Sequence, residues 1–490
     1  MRTISQFING QHVAYADAAT SPVYDPATGR VQAHLQRGDA TLLAQAVAVA
    51  KAAQPGWAAL NPQQRARVMF NFKALIEQHR DELARLMSSE HGKLLDDSLG
   101  ELQRGLDVVE FVCGVPHLMK GEFTQAAGPG TNVYSIREPL GVVAGITPFN
   151  FPAMIPIWML APAVATGNAF ILKPSSRTPS PSIRLAELAL EAGVPPGIFN
   201  VVHSGEGVGE AITDHPDIKA ISLVGSTAVA KSVYARGAAA GKRMQCMGGA
   251  KNHGIVLPDA DLDQVVADAL AGAYGSAGQR CMAMPVLVPV GRKTAEALRE
   301  RLLAAIPKLR IGIAGDPEAQ MGPVVTAAHR EKVEHYIRMA AEEGAELVID
   351  GRGRQLPGHE DGFFLWPTLI DHARATMRSY QEEIFGPVLQ ILRAETFEEA
   401  LRYPSDHHQG NAVTVFTRNG DAAQRFVAEV AVGMVGVNVP MPVPVSYHSF
   451  GGWKESAFGD LNQYGEDCIR FFTRTKLVTQ RWPRGGLAAE

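Results

Sequence analysis

Residues 141–146 read GVVAGI and open a stretch in which short apolar runs alternate with helical segments and Gly/Pro-rich turns; the other runs are AFILK (169–173), FNVVH (199–203), KAISLVG (219–225) and KRMQCM (242–247). Strands that alternate with helices predict a parallel sheet covered by helices on both faces. Such sheets bind ligands in the loops at the carboxyl ends of their strands. This stretch therefore predicts an α/β fold with a ligand site along one edge of the sheet.

The sequence on either side of this stretch belongs to the same fold class. Residues 40–115 carry apolar positions at helical spacing. After Gly249 the alternation of helix and strand begins again, which predicts a second α/β unit. Residues 121–139 combine turn residues with alternating polarity, which indicates a hairpin or an arm. The segment IRFFTRTKLVTQRW (469–482) alternates in places and could pair as a strand beside another chain.

Composition narrows the class of protein. A chain of 490 residues is long enough for two or three domains with their own cores. The formal charge of −4 gives no reason to expect nucleic acid or an anionic membrane as a partner. The four cysteines lie far apart without metal-ligand spacing, so we expect reduced thiols, no bound metal and a cytoplasmic location. The N-terminal residues lack the pattern of a secretory signal, and the longest apolar stretch is too short to span a bilayer.

One cysteine has the setting of a nucleophile. The segment GSAGQRCMA (275–283) places Cys281 in a loop of small residues, which leaves room for a substrate around the sulfur. A thiolate attacks an aldehyde carbonyl readily, and Arg280 would favour the thiolate if its side chain points the same way. The alternative is that a free cysteine is a buried apolar residue. We assign that role to the remaining cysteines, which are Cys113, Cys246 and Cys468.

Six motifs occur in the order in which the aldehyde dehydrogenase superfamily carries them: TPFNFP (147–152), ILKPS (171–175), VGST (224–227), GSAGQRC (275–281), EEIFGPV (382–388) and FGGWKES (450–456). Together they resemble that superfamily over nearly the whole chain. The resemblance implies a Rossmann-like cofactor-binding domain, a catalytic α/β domain and a small β arm for oligomerisation. The implied boundaries are 1–120 and 138–248 for the cofactor domain, 249–440 for the catalytic domain, and 121–137 and 468–490 for the arm. The resemblance also implies a homodimer or a homotetramer.

The sequence RCMA at the thiol, the segment GGAKNH (248–253) and the C-terminal region are similar to the methylmalonate-semialdehyde dehydrogenase branch. Members of this branch oxidise malonate or methylmalonate semialdehyde and release acetyl-CoA or propionyl-CoA with carbon dioxide. The resemblance therefore implies NAD as cofactor, coenzyme A as co-substrate and a place in valine catabolism. A hydrolytic aldehyde dehydrogenase that acts on another small aldehyde is the alternative.

Asn150 is the candidate for stabilising the developing oxyanion, since TPFNFP follows a predicted strand. Its side-chain NH2 can donate to an oxyanion together with the backbone N–H of Cys281, and such donors contribute about 3–4 kcal/mol each. The alternative is a turn asparagine that holds its own backbone.

The residues that we assign to cofactor binding share a position at a strand end or in a family motif; they are Thr147, Phe149, Lys173, Ser176, Gly225, Ser226, Glu383 and Phe385. The alternatives without a role in cofactor binding are an exposed lysine for Lys173, a helix cap for Ser226 and a surface carboxylate for Glu383. Many members that prefer NAD carry Glu where this chain has Ser176. The absence of this glutamate removes repulsion against a 2′-phosphate. We therefore expect NADP to be tolerated, while NAD remains the physiological cofactor.

Hydrolytic relatives carry a glutamate before the GG of a segment like LELGGK, where this chain has Cys246 or Met247. Neither side chain is a general base near neutral pH. A thioester without an activated water can wait for the thiol of coenzyme A, so this change favours acyl transfer over hydrolysis. Glu383 or a distant carboxylate could still replace the missing base.

Arg104 and Arg280 are the candidates for substrate selection, because guanidinium forks suit the carboxylate of a malonate-type semialdehyde. The branch resemblance places its carboxylate-binding arginines at these two positions. The alternative for Arg104 is a charge ladder with Glu101 and Asp107 on one helix. A non-catalytic relative that kept the fold is a further alternative, and the joint retention of Cys281 and Asn150 speaks against it.

Overall fold

The computed structural model describes residues 2–15, 18–205 and 207–483. Its N-terminal part contains five short strands and five helices: β1 (Arg2–Ile4), β2 (Gln6–Ile8), β3 (Gln11–Val13), β4 (Thr20–Asp25), β5 (Arg30–Gln36), α1 (Ala40–Ala59), α2 (Pro62–Gln78), α3 (Arg80–His91), α4 (Leu95–Cys113) and α5 (Val115–Leu118). The predicted helical character of residues 40–115 is confirmed. Asp39 caps the first of these helices, and Asn61 with Gln64 forms a capping box on the second, so polar side chains satisfy the free N–H groups at both starts.

The predicted parallel sheet forms the centre of the first half. After the hairpin of β6 (Phe123–Gly128) and β7 (Thr131–Pro139), the chain alternates strand and helix; the elements are β8 (Val142–Ile146), α6 (Met154–Ala165), β9 (Ala169–Lys173), α7 (Ser180–Glu191), β10 (Phe199–Val201), α8 (Val208–Asp214), β11 (Ile218–Val224), α9 (Thr227–Ala239) and β12 (Arg243–Met247). Every residue of β8 is buried, as expected for a strand with both faces covered.

The strand order of this sheet decides where a ligand can bind. Its parallel part runs β12-β11-β8-β9-β10, and β2 and β3 extend one edge antiparallel. The order reverses between β8 and β11, since the chain adds β9 and β10 on one side of β8 and β11 and β12 on the other. Such a switch point leaves a crevice at the carboxyl ends of the two strands. The loops that begin at Thr147 and Gly225 lie there.

The second half contains a seven-stranded sheet of order β15-β16-β17-β14-β13-β19-β20. All neighbours pair parallel except β15 and β16. The elements are β13 (His253–Val256), α10 (Leu262–Tyr274), β14 (Val286–Pro289), α11 (Arg292–Ala305), α12 (Ala327–Glu342), β15 (Glu346–Ile349), β16 (Thr368–Asp371), α13 (Arg378–Gln381), β17 (Val388–Ile391), α14 (Phe397–Asp406), β18 (Gln409–Gly410), β19 (Ala412–Phe416), α15 (Gly420–Glu429) and β20 (Met434–Val437). The two predicted α/β units are thus present.

The C-terminal segment returns to the first half of the chain. Its elements are β21 (Trp453–Lys454), β22 (Ala457–Phe458), α16 (Gly465–Phe472) and β23 (Thr473–Arg481). The last strand pairs antiparallel with β7 of the same chain over nine residues, which gives a three-stranded sheet β23-β7-β6. Residues 469–472 of the segment expected to form a strand belong to α16 instead, where Phe471 and Phe472 are buried. Residues 484–490 of the predicted arm lie outside the described residues.

The domain boundaries drawn from the sequence stay a prediction. Among the described residues, no helix is long and apolar enough to cross a membrane.

Candidate active site

A strained turn precedes Cys281 and positions it in the site. Helix α10 ends at Tyr274, and Ser276 and Ala277 then adopt left-handed φ angles of 49° and 52°. Non-glycine residues in this conformation cost roughly 1–2 kcal/mol each, so surrounding contacts must hold the turn. The side-chain amide of Asn252 donates to the carbonyl oxygens of Cys281 at 2.9 Å and of Ala283 at 2.7 Å, and these bonds fix the loop beyond the turn.

Cys281 borders two cavities, and Arg280 also lines both of them. The larger has a volume of about 320 Å³ and is lined by residues that include Arg104, Phe151, Met154, Trp158, Arg280 and Phe450. The smaller, of about 20 Å³, is lined by residues that include Lys251, Asn252, Glu383 and Phe385. Cys281 thus shares one cavity with both predicted substrate arginines and another with two residues predicted to bind the cofactor.

Burial keeps the Cys281 thiol protonated. The pKa of Cys281 is raised to about 12, mainly by loss of solvent and to a smaller extent by the nearby Glu383 carboxylate. Backbone N–H groups of Cys281 and Met282, and then Arg280, lower the pKa by smaller amounts. Arg280 thus favours the thiolate, as expected from its place beside Cys281, but loss of solvent outweighs its charge, so the thiol stays protonated in the resting protein.

The other three cysteines are buried and free, as the sequence predicts. Burial raises the pKa of Cys113 to about 11 and that of Cys246 to about 12. Cys246 and Met247 lie on β12, where Cys246 pairs with Leu223 on one side and with Phe458 on the other. Neither borders the cavities described beside Cys281. Neither position therefore supplies a base to the cavities that Cys281 borders.

Asn150 is buried beside the thiol loop. Its side-chain amide donates to the carbonyl oxygen of Gln279, two residues before the thiol, at 3.0 Å. Behind it, the Lys93 ammonium donates to the Asn150 carbonyl oxygen at 2.5 Å and to Glu101 at 2.7 Å. The second Glu101 oxygen accepts the backbone N–H groups at the start of α6. Sequence reasoning missed Lys93, since nothing local to it distinguishes it from a surface lysine.

Arg104 and Arg280 both line the larger cavity, but their surroundings differ. Arg104 is exposed and has no ion pair or hydrogen bond among the described residues. Its helix neighbour Glu101 faces inward and pairs with Lys93, so the charge ladder that was the alternative for Arg104 does not form. Arg280 is half-buried and forms an ion pair with Asp97.

The predicted dinucleotide residues of the first sheet gather at its switch point. Thr147 follows β8, and its buried hydroxyl has no partner among the described residues. Lys173 ends β9, where it donates to Ser204 at 2.7 Å, and burial lowers its pKa to about 8. Ser176 is half-buried three residues later. An unpartnered hydroxyl and a recessed ammonium group are suited to ribose hydroxyls, so these residues fit a dinucleotide.

Gly225 and Ser226 connect β11 to α9. Ser226 is exposed, and its side chain makes no capping hydrogen bond to the helix, so the cap alternative does not hold. The free N–H groups and the dipole of this helix start favour a phosphate. The next residue, Thr227, accepts the backbone N–H of Gly249 at 3.0 Å and thereby ties this helix start to the segment near Glu383. Thr227 belongs to the VGST motif, but no local pattern distinguishes it as a functional residue.

Glu383 and Phe385 lie on the opposite side of the crevice. Glu383 accepts the backbone N–H of Ala250 at 3.1 Å, and burial raises the pKa of its carboxyl group. A side chain at Gly249 would come within 2.7 Å of this carboxylate, so the glycine allows its approach. Phe385 has a left-handed φ of 62° and packs edge-on against Phe149 at 5.8 Å between ring centroids.

A histidine that sequence reasoning missed completes this side. His329 on α12 lies 2.7 Å from the Phe385 carbonyl oxygen, and its ring contacts the rings of Phe149 and Phe385. Burial lowers the pKa of His329 to about 4, so its ring is neutral at physiological pH. Arg177 lies over the Phe149 ring at 4.9 Å from its centroid. Phe149 is therefore the centre of an aromatic and cationic group beside the switch point.

One group of potential metal ligands occurs in the part of the chain that the structure describes, and it consists of Glu346, Asp371 and His372. Arg299 forms ion pairs with both carboxylates, and Arg393 pairs with Asp371. The arginines already balance this charge, and the group lies outside the cavities beside Cys281.

Comparison with known proteins gives a consistent result. Residues 13–478 match the profile of the aldehyde dehydrogenase family. A malonate-semialdehyde dehydrogenase of Pseudomonas aeruginosa is 50% identical over 484 residues, which cover 99% of this chain and 97% of the relative. An acylating mitochondrial methylmalonate-semialdehyde dehydrogenase of Arabidopsis thaliana is 43% identical, and the match covers 98% of this chain and 79% of the relative.

Two crystal structures have nearly the same fold. One is a Sinorhizobium meliloti protein, described as a methylmalonate-semialdehyde dehydrogenase and complexed with NAD, with a TM-score of 0.98, 54% identity and 99% of each chain covered. The other is a methylmalonate-semialdehyde dehydrogenase of Oceanimonas doudoroffii, with a TM-score of 0.97, 49% identity and 99% of each chain covered.

Proposed function

This chain belongs to the aldehyde dehydrogenase family, and we propose that it oxidises malonate semialdehyde or methylmalonate semialdehyde to acetyl-CoA or propionyl-CoA with release of carbon dioxide. The observation that carries this proposal is a single cavity that brings Arg104, Arg280 and Cys281 together. Two guanidinium groups close to a thiol suit an aldehyde that carries its own carboxylate.

The first step is addition of the thiol to the aldehyde. The Cys281 thiol loses its proton to solvent, the thiolate attacks the carbonyl carbon, and the carbonyl oxygen becomes an oxyanion. The side-chain amide of Asn150 and the backbone N–H of Cys281 donate to this oxygen, with a contribution of about 3–4 kcal/mol from each well-placed donor. Lys93 keeps the Asn150 loop in place from behind.

The cofactor site lies on the other side of the thiol. Thr147, Lys173, Ser176, Gly225 and Ser226 would hold a dinucleotide from the first sheet. Glu383 and Phe385 would hold its nicotinamide end from the second half, beside the small cavity that Cys281 borders. Bound there, NAD would supply the acceptor for the hydride of the tetrahedral adduct.

The resulting thioester determines the later steps. The bond between the α-carbon and the carboxylate breaks, carbon dioxide leaves, and the electron pair moves into an enolate whose oxygen lies in the same oxyanion site. A proton from solvent then restores the acyl group. Cys246 and Met247 cannot activate water, and Glu383 is assigned to the cofactor ribose, so the thioester persists until the thiol of coenzyme A attacks it and releases Cys281.

We also infer a homodimer or a homotetramer in the cytoplasm. The sheet β23-β7-β6 supports the oligomer, because it exposes large apolar side chains that include Phe123 and Leu477. Exposed apolar clusters of this kind are typical of protein–protein contacts.

Product analysis tests the proposed function. The purified protein is incubated with malonate semialdehyde and NAD, with and without coenzyme A, and NADH, acetyl-CoA, carbon dioxide and free acids are quantified. We expect one acetyl-CoA and one carbon dioxide per NADH, and slow turnover without coenzyme A. Free acid that forms equally fast in both reactions would contradict acyl transfer to coenzyme A.

A further inference from the structure

The two arginines of the substrate cavity are not equivalent. Arg104 has no ion pair among residues 2–483 as far as the structure describes them, so its charge is available to a ligand. The Arg280 guanidinium, in contrast, forms a charge-assisted hydrogen bond with Asp97 at the start of α4. Its other contacts are weaker, at 3.3 Å to the Ser276 hydroxyl and 3.5 Å to the Ala271 carbonyl oxygen. Asp97 is therefore the main restraint on Arg280.

Asp97 also restrains the turn that precedes the thiol. Its second carboxylate oxygen accepts the Ser276 hydroxyl at 3.0 Å. Ser276 is the first of the two residues in the left-handed conformation. One carboxylate from α4 thus anchors both the turn and the side chain of Arg280, one residue before Cys281.

Two effects of Asp97 on a carboxylated substrate oppose each other. Its negative charge repels the substrate carboxylate, whereas its hydrogen bond fixes the Arg280 fork. A guanidinium has five N–H donors, and the contacts named above use three of them, so two remain for a ligand. An arginine held in one orientation loses little rotamer freedom when it binds, and this favours orientation as the stronger effect.

We propose that Asp97 is a positioning residue that presents the Arg280 guanidinium to the carboxylate of the substrate. This inference rests on the proposed function, since it needs a semialdehyde that carries a carboxylate. The two arginines then have different roles in binding the substrate carboxylate. Arg104 supplies an unbalanced positive charge, and the Asp97–Arg280 pair supplies a fixed fork with little net charge.

Asp96 provides a matched control. It precedes Asp97, borders the same cavity and is exposed, but it has no hydrogen bond to Arg280 among the described residues. The variants Asp97→Asn and Asp96→Asn remove the same charge at neighbouring positions. Asn at position 97 keeps an oxygen that can accept the Ser276 hydroxyl, so the turn retains its anchor.

The experiment compares malonate semialdehyde with propanal, an aldehyde of similar size without the carboxylate. We expect Asp97→Asn to raise KM for the semialdehyde about tenfold, to leave kcat and KM for propanal within about twofold, and to keep the midpoint of thermal unfolding. Asp96→Asn should not raise KM for either aldehyde, because it removes a charge beside the same cavity without releasing Arg280. Activity on propanal shows in the same assay that each variant is folded.

Two outcomes would overturn the positioning role. A KM for the semialdehyde that is unchanged or lower in Asp97→Asn would mean that repulsion outweighs orientation. Equal rises in KM for both aldehydes would mean that Asp97 only supports the turn. Failure of the proposed function itself gives a different result, in which the unmodified protein has no higher kcat/KM for the semialdehyde than for propanal.

Discussion

The Lys93 ammonium lies 2.5 Å from the main-chain oxygen of Asn150, and both residues are buried. The same ammonium pairs with Glu101, whose other oxygen accepts two N–H groups at the start of α6. A buried ion pair between α4 and the segment after α3 thus connects directly to the loop that carries the candidate oxyanion donor. Its main effect is to fix that loop, because the cost of removing both charges from water offsets much of their attraction.

Removal of one partner should therefore be costly. We expect Lys93→Met to lower the free energy of unfolding by about 3–5 kcal/mol, since it leaves Glu101 buried without its cation. It should also lower kcat, because the Asn150 loop loses its restraint. Urea unfolding and NADH formation measure the two effects.

The double variant Lys93→Met/Glu101→Gln separates charge from packing. Gln at position 101 removes the uncompensated charge but keeps an oxygen for the N–H groups of α6, so we expect it to recover part of the lost stability. Lys73→Met serves as the control, since Lys73 lies at the surface of α2 and its variant should unfold like the parent protein. A double variant no more stable than Lys93→Met would show that burial of unpaired Glu101 is not the cause.

Cys281→Ala should reduce kcat at least a thousandfold, because Cys281 is the only thiol among the described residues that line the two cavities. Stopped-flow measurement of NADH formation tests this. Cys246→Ala is the matched control, since Cys246 is a buried thiol with a similarly raised pKa but lies on β12, away from both cavities. If Cys246→Ala lost activity to the same extent without a change in thermal stability, the assignment of the nucleophile would be wrong.

The reactivity of the thiol should increase with pH over an unusually wide range. Only the thiolate reacts with iodoacetamide, and burial raises the pKa of Cys281 to about 12. In the protein without cofactor we therefore expect the rate of alkylation to rise about tenfold per pH unit up to pH ~10. A plateau near pH 8.5 would contradict the raised pKa of Cys281.

Glu383→Gln should accelerate the same reaction at pH 8. The Glu383 carboxylate raises the pKa of Cys281, and removal of its charge makes the thiolate easier to form. Glu382→Gln is the control, because the adjacent Glu382 instead pairs with Arg378 and accepts the Tyr336 hydroxyl. Equal rates for the two variants would exclude an electrostatic effect of Glu383 on the thiol.

Much of the fold follows from periodicity alone. The apolar runs from GVVAGI to KRMQCM became β8 to β12, because strands of a sheet covered on both faces have few polar residues. The motifs meet near one crevice because the carboxyl ends of parallel strands converge at one edge of a sheet. The secondary structure of residues 469–472 was harder to predict, because their aromatic side chains suit a strand. Packing against α6 favours the helix.

The site was less predictable where its contacts join distant segments. The pairs Lys93–Asn150 and Asp97–Arg280 are separated by 57 and 183 residues, and no local pattern indicates either. The ladder between Arg104 and Glu101, which was the alternative role for Arg104, does not form, because Glu101 faces the buried Lys93 and helix spacing does not reveal this. Spacing places charges on a helix face but does not tell which face is covered.

Cofactor selectivity should depend on residue 176. Ser176 has no charge, and the exposed Arg177 follows it with its guanidinium over the Phe149 ring. A carboxylate at position 176 would accept hydrogen bonds from ribose hydroxyls and repel a 2′-phosphate by about 3 kcal/mol at a separation near 5 Å. We therefore expect Ser176→Glu to lower kcat/KM for NADP relative to NAD by roughly a hundredfold. Gln has the size of Glu but no charge, so Ser176→Gln should change that ratio little. Equal effects of Glu and Gln would show that size rather than charge selects the cofactor. The unmodified protein should discriminate between the two cofactors by less than about a thousandfold. A larger preference for NAD would mean that a carboxylate elsewhere in the chain recognises the ribose.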